Sequence, residues 1–270
     1  MRGVLIVGAL MLVGIVPASA ATLDVCPSGC SYASITDASA AALSGDQIDV
    51  SAGTYAECFL ALPTGVGLSG AGRTETVIDT QACAASASLQ VGAGLVSDLT
   101  VLPHATSGTG LLFETSGSAT RVDVRGGLTG VTSAGGPIDD VALVNVLVAG
   151  SSTTGAGIEA GDAAWTVERS TFVQVGAPAG IGIEAGSAAN VSISESLVVG
   201  WGYGVFADGS PCSLSRTFFW DIDSSGANWD TCVEAVGLPN HTDLDPLFVD
   251  GTDHITGDFH LQSTAGEWDG

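Results

Sequence analysis

Two glutamates occupy the same place in two copies of one motif, Gly157-Ile158-Glu159-Ala160-Gly161 and Gly182-Ile183-Glu184-Ala185-Gly186, 25 residues apart. Carboxylates about 5 Å apart are what a retaining glycosidase uses, one as nucleophile and one as general acid. Their mutual repulsion raises one of the two pKa values enough for acid catalysis. The alternative is a solvated acidic ladder, because like charges about 5 Å apart at a surface dielectric repel by only about 1 to 3 kcal/mol, which splayed side chains and salt relieve. A second pair, Glu195 and Arg216, lies in a column drawn through Asn145, Ser170, Glu195 and Arg216. A surface salt bridge is the simpler reading. The chemical reading is a lyase, with Arg216 abstracting a proton while an acid or bound calcium neutralises a uronate carboxylate.

Rings come next. Trp201, Tyr203, Phe206, Phe219, Trp220 and Trp229 concentrate late in the chain, and sugars are bound by stacking on such rings. Trp201, Tyr203 and Trp220 are therefore the candidate carbohydrate contacts, against the alternative of core and end-cap packing. Trp201, in a Gly-Trp-Gly turn, is expected to be the most exposed. Asp243, Asp245, Asp250, Asp253 and Asp258 fall within 16 residues, and calcium, which takes six to eight oxygens, is the candidate ion for such a run. Their spacing matches neither an EF-hand nor a glycine-aspartate nonapeptide repeat. His241, His254 and His260 lack the cysteine partners or tight spacing of a zinc site.

Something must hold these residues in place. A glycine followed by an aliphatic residue recurs at Gly110-Leu111, Gly130-Val131, Gly157-Ile158, Gly182-Ile183 and Gly204-Val205, with spacings of 20, 27, 25 and 22. A period in the twenties with β-rich units is that of a solenoid, whose units bury their apolar faces only when stacked. Strand-like runs at 98–102, 121–125, 144–148, 170–175, 194–199 and 215–220 follow the same rhythm. Leu147, Phe172, Leu197 and Phe218, at spacings of 25, 25 and 21, are predicted to stack inside the core about 4.8 Å apart. Residues 32–43 place Ile35, Ala38, Ala42 and Leu43 at helical spacing, and Gly45 closes the run, so a short helix caps the first coil.

The opening Cys26-Pro27-Ser28-Gly29-Cys30-Ser31-Tyr32, then Gly45-Asp46-Gln47-Ile48-Asp49-Val50, Gly53-Thr54-Tyr55, Leu68-Ser69-Gly70-Ala71-Gly72 and Thr76-Val77-Ile78-Asp79, resemble the start of secreted proteins of the pectin-lyase-like superfamily. Asp245-Pro246-Leu247-Phe248-Val249-Asp250 and Gly257-Asp258-Phe259-His260-Leu261 resemble the segment that closes many of them. The resemblance implies an all-β fold, a single-stranded right-handed parallel β-helix with a short N-terminal capping helix. It is uninformative about reaction, since that superfamily includes lyases, hydrolases, adhesins and proteins of no assigned activity. The Ser-Pro-Ala-Ile-Asp continuation usual there is absent, so the last turn is expected to be incomplete or the chain truncated. The calcium-binding aspartates with lysine or arginine bases that such lyases usually carry are not matched, nor are the paired-aspartate, Gly-His-Gly and Arg-Ile-Lys motifs of polygalacturonase-like hydrolases.

Cysteines test the register. Cys58 and Cys83 are 25 residues apart, and Cys212 and Cys232 are 20 apart, each about one coil. Stacked coils bring such positions to about 4.8 Å, within the ~4.4 to 6.8 Å a disulfide tolerates. Both bridges are predicted, with a local Cys26–Cys30 loop, and closing a ~25-residue loop is worth roughly 3.5 kcal/mol in the chain-entropy model.

Residues 1–20 read as a signal peptide, with Arg2, an apolar run at 4–16 and Ala18-Ser19-Ala20 before Ala21. Residues 21–45 form the N-terminal cap, 46–236 the coils and 237–270 the closing segment. The chain carries 29 acidic residues against six arginines, has no lysine, and has a net charge of −23. Nucleic acid and anionic membranes are thereby poor partners, and no membrane insertion is expected after signal removal. The expected location is secreted, periplasmic or at the cell surface. The reading from sequence is a β-helix module with a structural or carbohydrate-binding role and no catalysis, with polysaccharide as the candidate partner and Ca2+ the only candidate cofactor. The competing reading is a polysaccharide lyase or glycoside hydrolase using Glu159 with Glu184, or Glu195 with Arg216.

Overall fold

One left-handed bend per coil shapes the middle of the molecule. Asp98, Arg121, Asn145, Arg169, Glu195 and Arg216 have φ between 48° and 58°, a conformation costing a side-chain-bearing residue roughly 1–2 kcal/mol. Strand register on either side places the six in one column, coil after coil. A buried residue follows each bend: Leu99, Val122, Val146, Ser170, Ser196 and Thr217. Where that residue is serine, its hydroxyl repairs the ladder. Ser196 Oγ accepts from the Ser170 N–H at 3.2 Å and donates to Ser194 O at 2.7 Å. Ser170 Oγ likewise accepts from the Val146 N–H at 3.1 Å and donates to Glu168 O at 2.8 Å. Buried backbone groups near the bend thus keep partners.

The computed structural model describes residues 19–83, 87–134, 140–150, 155–187, 189–207, 209–223, 232–234, 248–251 and 253–261. They form a right-handed parallel β-solenoid of about 8 turns with 3% helix. One coil consists of strands Ala164–Glu168, Thr171–Gln174 and Ala179–Ala185; the next repeats them as Asn190–Ser194, Leu197–Val199 and Trp201–Ala207, parallel throughout. We call these the first, second and third faces. The first two join through the bends into a single sheet, and the third is a separate parallel sheet.

Thinness explains the glycine rhythm. Pairing on both sides of each glycine stacks Gly110, Gly130, Gly157, Gly182 and Gly204 in one column of the third face. Side chains of the second face reach across the coil to it: a Cβ at Gly110 would collide with Val124 Cγ1, and one at Gly130 with Val148 Cγ1. At Gly157 it would come within 3.2 Å of Phe172 Cδ1, and at Gly182 within 2.7 Å of Val198 Cγ1 and 2.6 Å of Gly204 O.

The apolar column differs by one place from the sequence expectation. Phe172 pairs with Val148 and Val198, whereas Leu147 and Leu197 both pair with Thr171. The coil between Leu147 and Thr171 is 24 residues, not 25, so the buried column is Val148, Phe172, Val198 and Phe219. The same shift puts Arg169, not Ser170, in the bend column.

Both ends are fastened. Helix Ile35–Ala41 is N-capped by Ser34, whose hydroxyl accepts from the Asp37 N–H at 3.1 Å, and Glu57 accepts from the N–H groups of Ile35 and Thr36 at 2.8 Å each. Ile35, Ala38 and Ala42 are buried as expected, but Leu43 lies beyond the helix end and is exposed. All three predicted disulfides are present, with Cα separations of 5.6 Å for Cys26–Cys30, 5.7 Å for Cys58–Cys83 and 4.4 Å for Cys212–Cys232. The late strands Phe248–Asp250 and Asp258–Leu261 pair antiparallel and lie along the flank of the second face. Phe259 covers an apolar strip of the second face made by Leu147, Ala149, Val173 and Val199. Arg125 donates to Ile255 O at 3.1 Å and Gly257 O at 2.8 Å while pairing with buried Asp123 at 2.8 Å, and Arg73 reaches the same carboxylate at 3.4 Å. The signal-peptide reading falls almost wholly on residues 1–18, outside the described residues.

Adding one methyl group at Gly182 tests this packing. Gly182→Ala is expected to lower unfolding stability by about 1–3 kcal/mol, read as a lower denaturant midpoint at unchanged slope. An unchanged midpoint would show that the coil is not as thin as described.

Candidate functional site

The third face brings several of the candidate side chains together because its local geometry turns two nearby positions outward. In the strand Trp201–Ala207, Gly204 and Val205 are both buried while Tyr203 is 39% exposed and Phe206 half-buried. The inserted Gly-aliphatic pair thus separates two outward side chains by three residues, and their rings meet edge to face, 6.0 Å between centroids at 70°. Glu159 pairs with Glu184, and Glu184 with Phe206, while Ile181 pairs with Tyr203. Thr132 precedes Glu159 in the same column, and its hydroxyl donates to the Glu159 carbonyl at 3.0 Å. The result is an outward row Thr132, Glu159, Glu184, Phe206, flanked by Tyr203.

Glu184 is the electrostatically distinct member. Partial burial pushes its carboxyl above the usual range, and the negative charge of Glu159 pushes it further. Glu159 itself is exposed. Spacing expected from the repeat therefore does bring the two glutamates together. Because the Glu184 pKa is higher folded than unfolded, its ionisation opposes folding, so this contribution falls as pH rises through that window. Glu184→Gln is expected to raise the thermal midpoint at about pH 7 and to leave it unchanged near pH 3, where both states are protonated. A midpoint at neutral pH equal to or below that of the native protein would contradict the assignment.

Glu195 and Arg216 are also adjacent, and they form a salt bridge. It lies on the exposed bend column, which also carries, three coils away, a bridge from Arg121 to Asp98 at 2.6 Å, where Arg121 holds the Asp98 carboxyl below its usual range. Arg216 is engaged by its partner and sits away from the third face.

The aromatic residues divide among three places. Trp201, expected to be exposed, is 1% accessible: its indole turns inward against Gly150, Gly157 and Gly182, filling the space those glycines leave. Phe219 is in the core, and Trp220 packs beside the strip under Phe259. Only Tyr203 of the three candidate carbohydrate contacts is exposed on the third face. Phe206, one of the aromatic group but not a candidate contact in the sequence reading, stands beside it; the signal was the Gly-Val insertion between the two. Trp229 lies outside the described residues.

Of the tail aspartates, Asp243 and Asp245 lie outside the described residues. Asp253 accepts from the N–H groups of Ile255 and Thr256 at 2.7 and 3.2 Å, which lowers its pKa and forms a turn. Asp250 pairs with Asp258 across the hairpin. Among the described residues, no group of three or more His, Cys, Asp and Glu side chains is placed to hold a metal ion.

No family model matches the sequence. No curated protein matches it either. Solved structures do resemble it in fold. A pectin methylesterase from carrot aligns at a TM-score of 0.55 and 16% identity over 85% of this chain and 84% of that one. Pectate lyase Pel9A aligns at 0.52 and 14% over 92% and 90%. A pectin methylesterase in complex with a hexasaccharide aligns at 0.50 and 13% over 84% and 94%. The fold is that of the pectin-lyase-like parallel β-helix proteins. At such identities the likeness establishes architecture alone.

Proposed function

We propose that this chain is a secreted or cell-surface β-helix module that binds polysaccharide on its third face without turning it over. The observation that carries the reading is the juxtaposition of an exposed tyrosine and a half-buried phenylalanine with Glu184. Ring faces supply apolar area to a sugar, and carboxylates accept from its hydroxyls. The solved structures of similar fold are pectin methylesterases and a pectate lyase, and one holds a hexasaccharide, which supports a glycan as ligand. Three disulfides and the signal-like start support an oxidising, external compartment.

A glycoside hydrolase is the second reading, and one observation favours it: Glu159 and Glu184 are one coil apart, with Glu184 biased toward its protonated form. Lyase chemistry at Arg216 has no comparable support, since Glu195 pairs with its guanidinium.

Affinity electrophoresis across a panel of soluble polysaccharides, run with assays for new reducing ends and for unsaturated products, separates these readings. Retardation by at least one glycan is expected, weakened about tenfold by Tyr203→Ala, the equivalent of losing roughly 1.4 kcal/mol of ring contact. Arg169→Ala, on the bend column, should leave retardation unchanged. Reducing ends that appear with the native protein and vanish with Glu184→Gln would replace the binding reading with the hydrolase.

A further inference from the structure

The cationic side chains lie off the third face. The strands of the third face, from Leu60–Leu62 to Trp201–Ala207, contain no lysine, arginine or histidine. The five arginines after Arg2 all lie elsewhere, and each is close to an acid: Arg121 with Asp98, Arg216 with Glu195, Arg169 with Glu168, Arg73 and Arg125 with Asp123. A uronate chain approaching the third face therefore meets Glu159 and Glu184 with no cation on those strands to receive it, in a chain of net charge −23. Like charges at such a site repel, and the field of the whole molecule adds to the repulsion.

A cation meets the opposite conditions. Two glutamates whose backbones lie about 4.8 Å apart and the paired rings of Tyr203 and Phe206 combine ion pairing with the electron-rich ring faces that attract ammonium groups. A bare divalent ion suits the place poorly, since it needs six to eight oxygens, and no metal-holding group of three acids or histidines occurs among the described residues. A neutral sugar would use the rings and give the carboxylates hydroxyl donors but no opposite charge. We propose that the third-face site takes a protonated amino sugar, an unacetylated hexosamine unit of a glycan chain, whose ammonium pairs with Glu159 and Glu184 while its ring lies against Tyr203 and Phe206. This rests on the carbohydrate-binding reading and adds the charge class of the ligand.

Calorimetric titration of the full chain with four hexasaccharides tests it: hexamers of glucosamine, N-acetylglucosamine, glucose in β-1,4 linkage, and galacturonate. The glucosamine hexamer is expected to bind at least about tenfold more tightly than the other three, and to lose about tenfold as salt rises from about 50 to about 500 mM. Glu159→Gln and Glu184→Gln should each bring its affinity close to that of the N-acetylated hexamer, while Tyr203→Ala weakens every hexamer that binds. Circular dichroism and the unfolding midpoint confirm that each variant is folded. Equal or tighter binding of a neutral or galacturonate hexamer overturns the amino-sugar assignment and leaves the carbohydrate reading standing. Binding of none of the four, with retardation by some other glycan, overturns the assignment alone. The absence of binding to any glycan overturns both.

Discussion

Among the described residues, each interior strand of this solenoid pairs its backbone only with its counterparts in the coils above and below. That constraint fixes everything else. A residue's neighbour is whatever stands one coil away, so columns rather than local segments determine packing, charge and chemistry. Closing each coil within so few residues then requires a sharp corner and a thin interior. The left-handed bends from Asp98 to Arg216 make the corner, with Ser170 and Ser196 supplying hydroxyls to backbone N–H groups there. The glycine column makes the interior thin, because Val124, Val148, Phe172 and Val198 occupy the volume that side chains at those glycines would need.

The site follows from the same geometry. Two consecutive buried residues, a glycine and an aliphatic, bring Tyr203 and Phe206 out on one surface, and coil pairing sets Glu184 between Phe206 and Glu159. Packing and the proposed site therefore share one sequence feature. The glycines that let the second face fill the core also space the outward side chains of the third. Trp201 belongs to the packing side of that arrangement, since its ring lies against Gly157 and Gly182 beneath the outward row.

How far the sequence could be read depended on whether a property was periodic. The glycine column, the Cys58–Cys83 and Cys212–Cys232 bridges and the Glu159–Glu184 pair all follow from counting residues, and all are present. Counting failed where coil length varies: the 24-residue step from Leu147 to Thr171 displaced Phe172 and exchanged Arg169 for Ser170 in the bend column. A pattern of Ser or Thr directly after the bend, at Ser170, Ser196 and Thr217, would have given the correct alignment. Trp201 was misjudged because its inward turn depends on glycines in other coils that leave room for an indole. The Arg73–Asp123–Arg125 cluster joins residues 50 apart and then holds a hairpin 130 residues away, a contact that no period announces.

The central claim is the register that sets Glu159 beside Glu184, and engineered cross-linking tests it most directly. Adjacent coils place those two backbones about 4.8 Å apart, within disulfide reach, whereas Thr132 and Glu184 are two coils apart at about 9.6 Å, beyond it. Glu159→Cys combined with Glu184→Cys should form a bridge on mild oxidation, identified by peptide mapping without reduction, and Thr132→Cys combined with Glu184→Cys should not. A bridge in the second pair and none in the first would contradict the register and the site built on it.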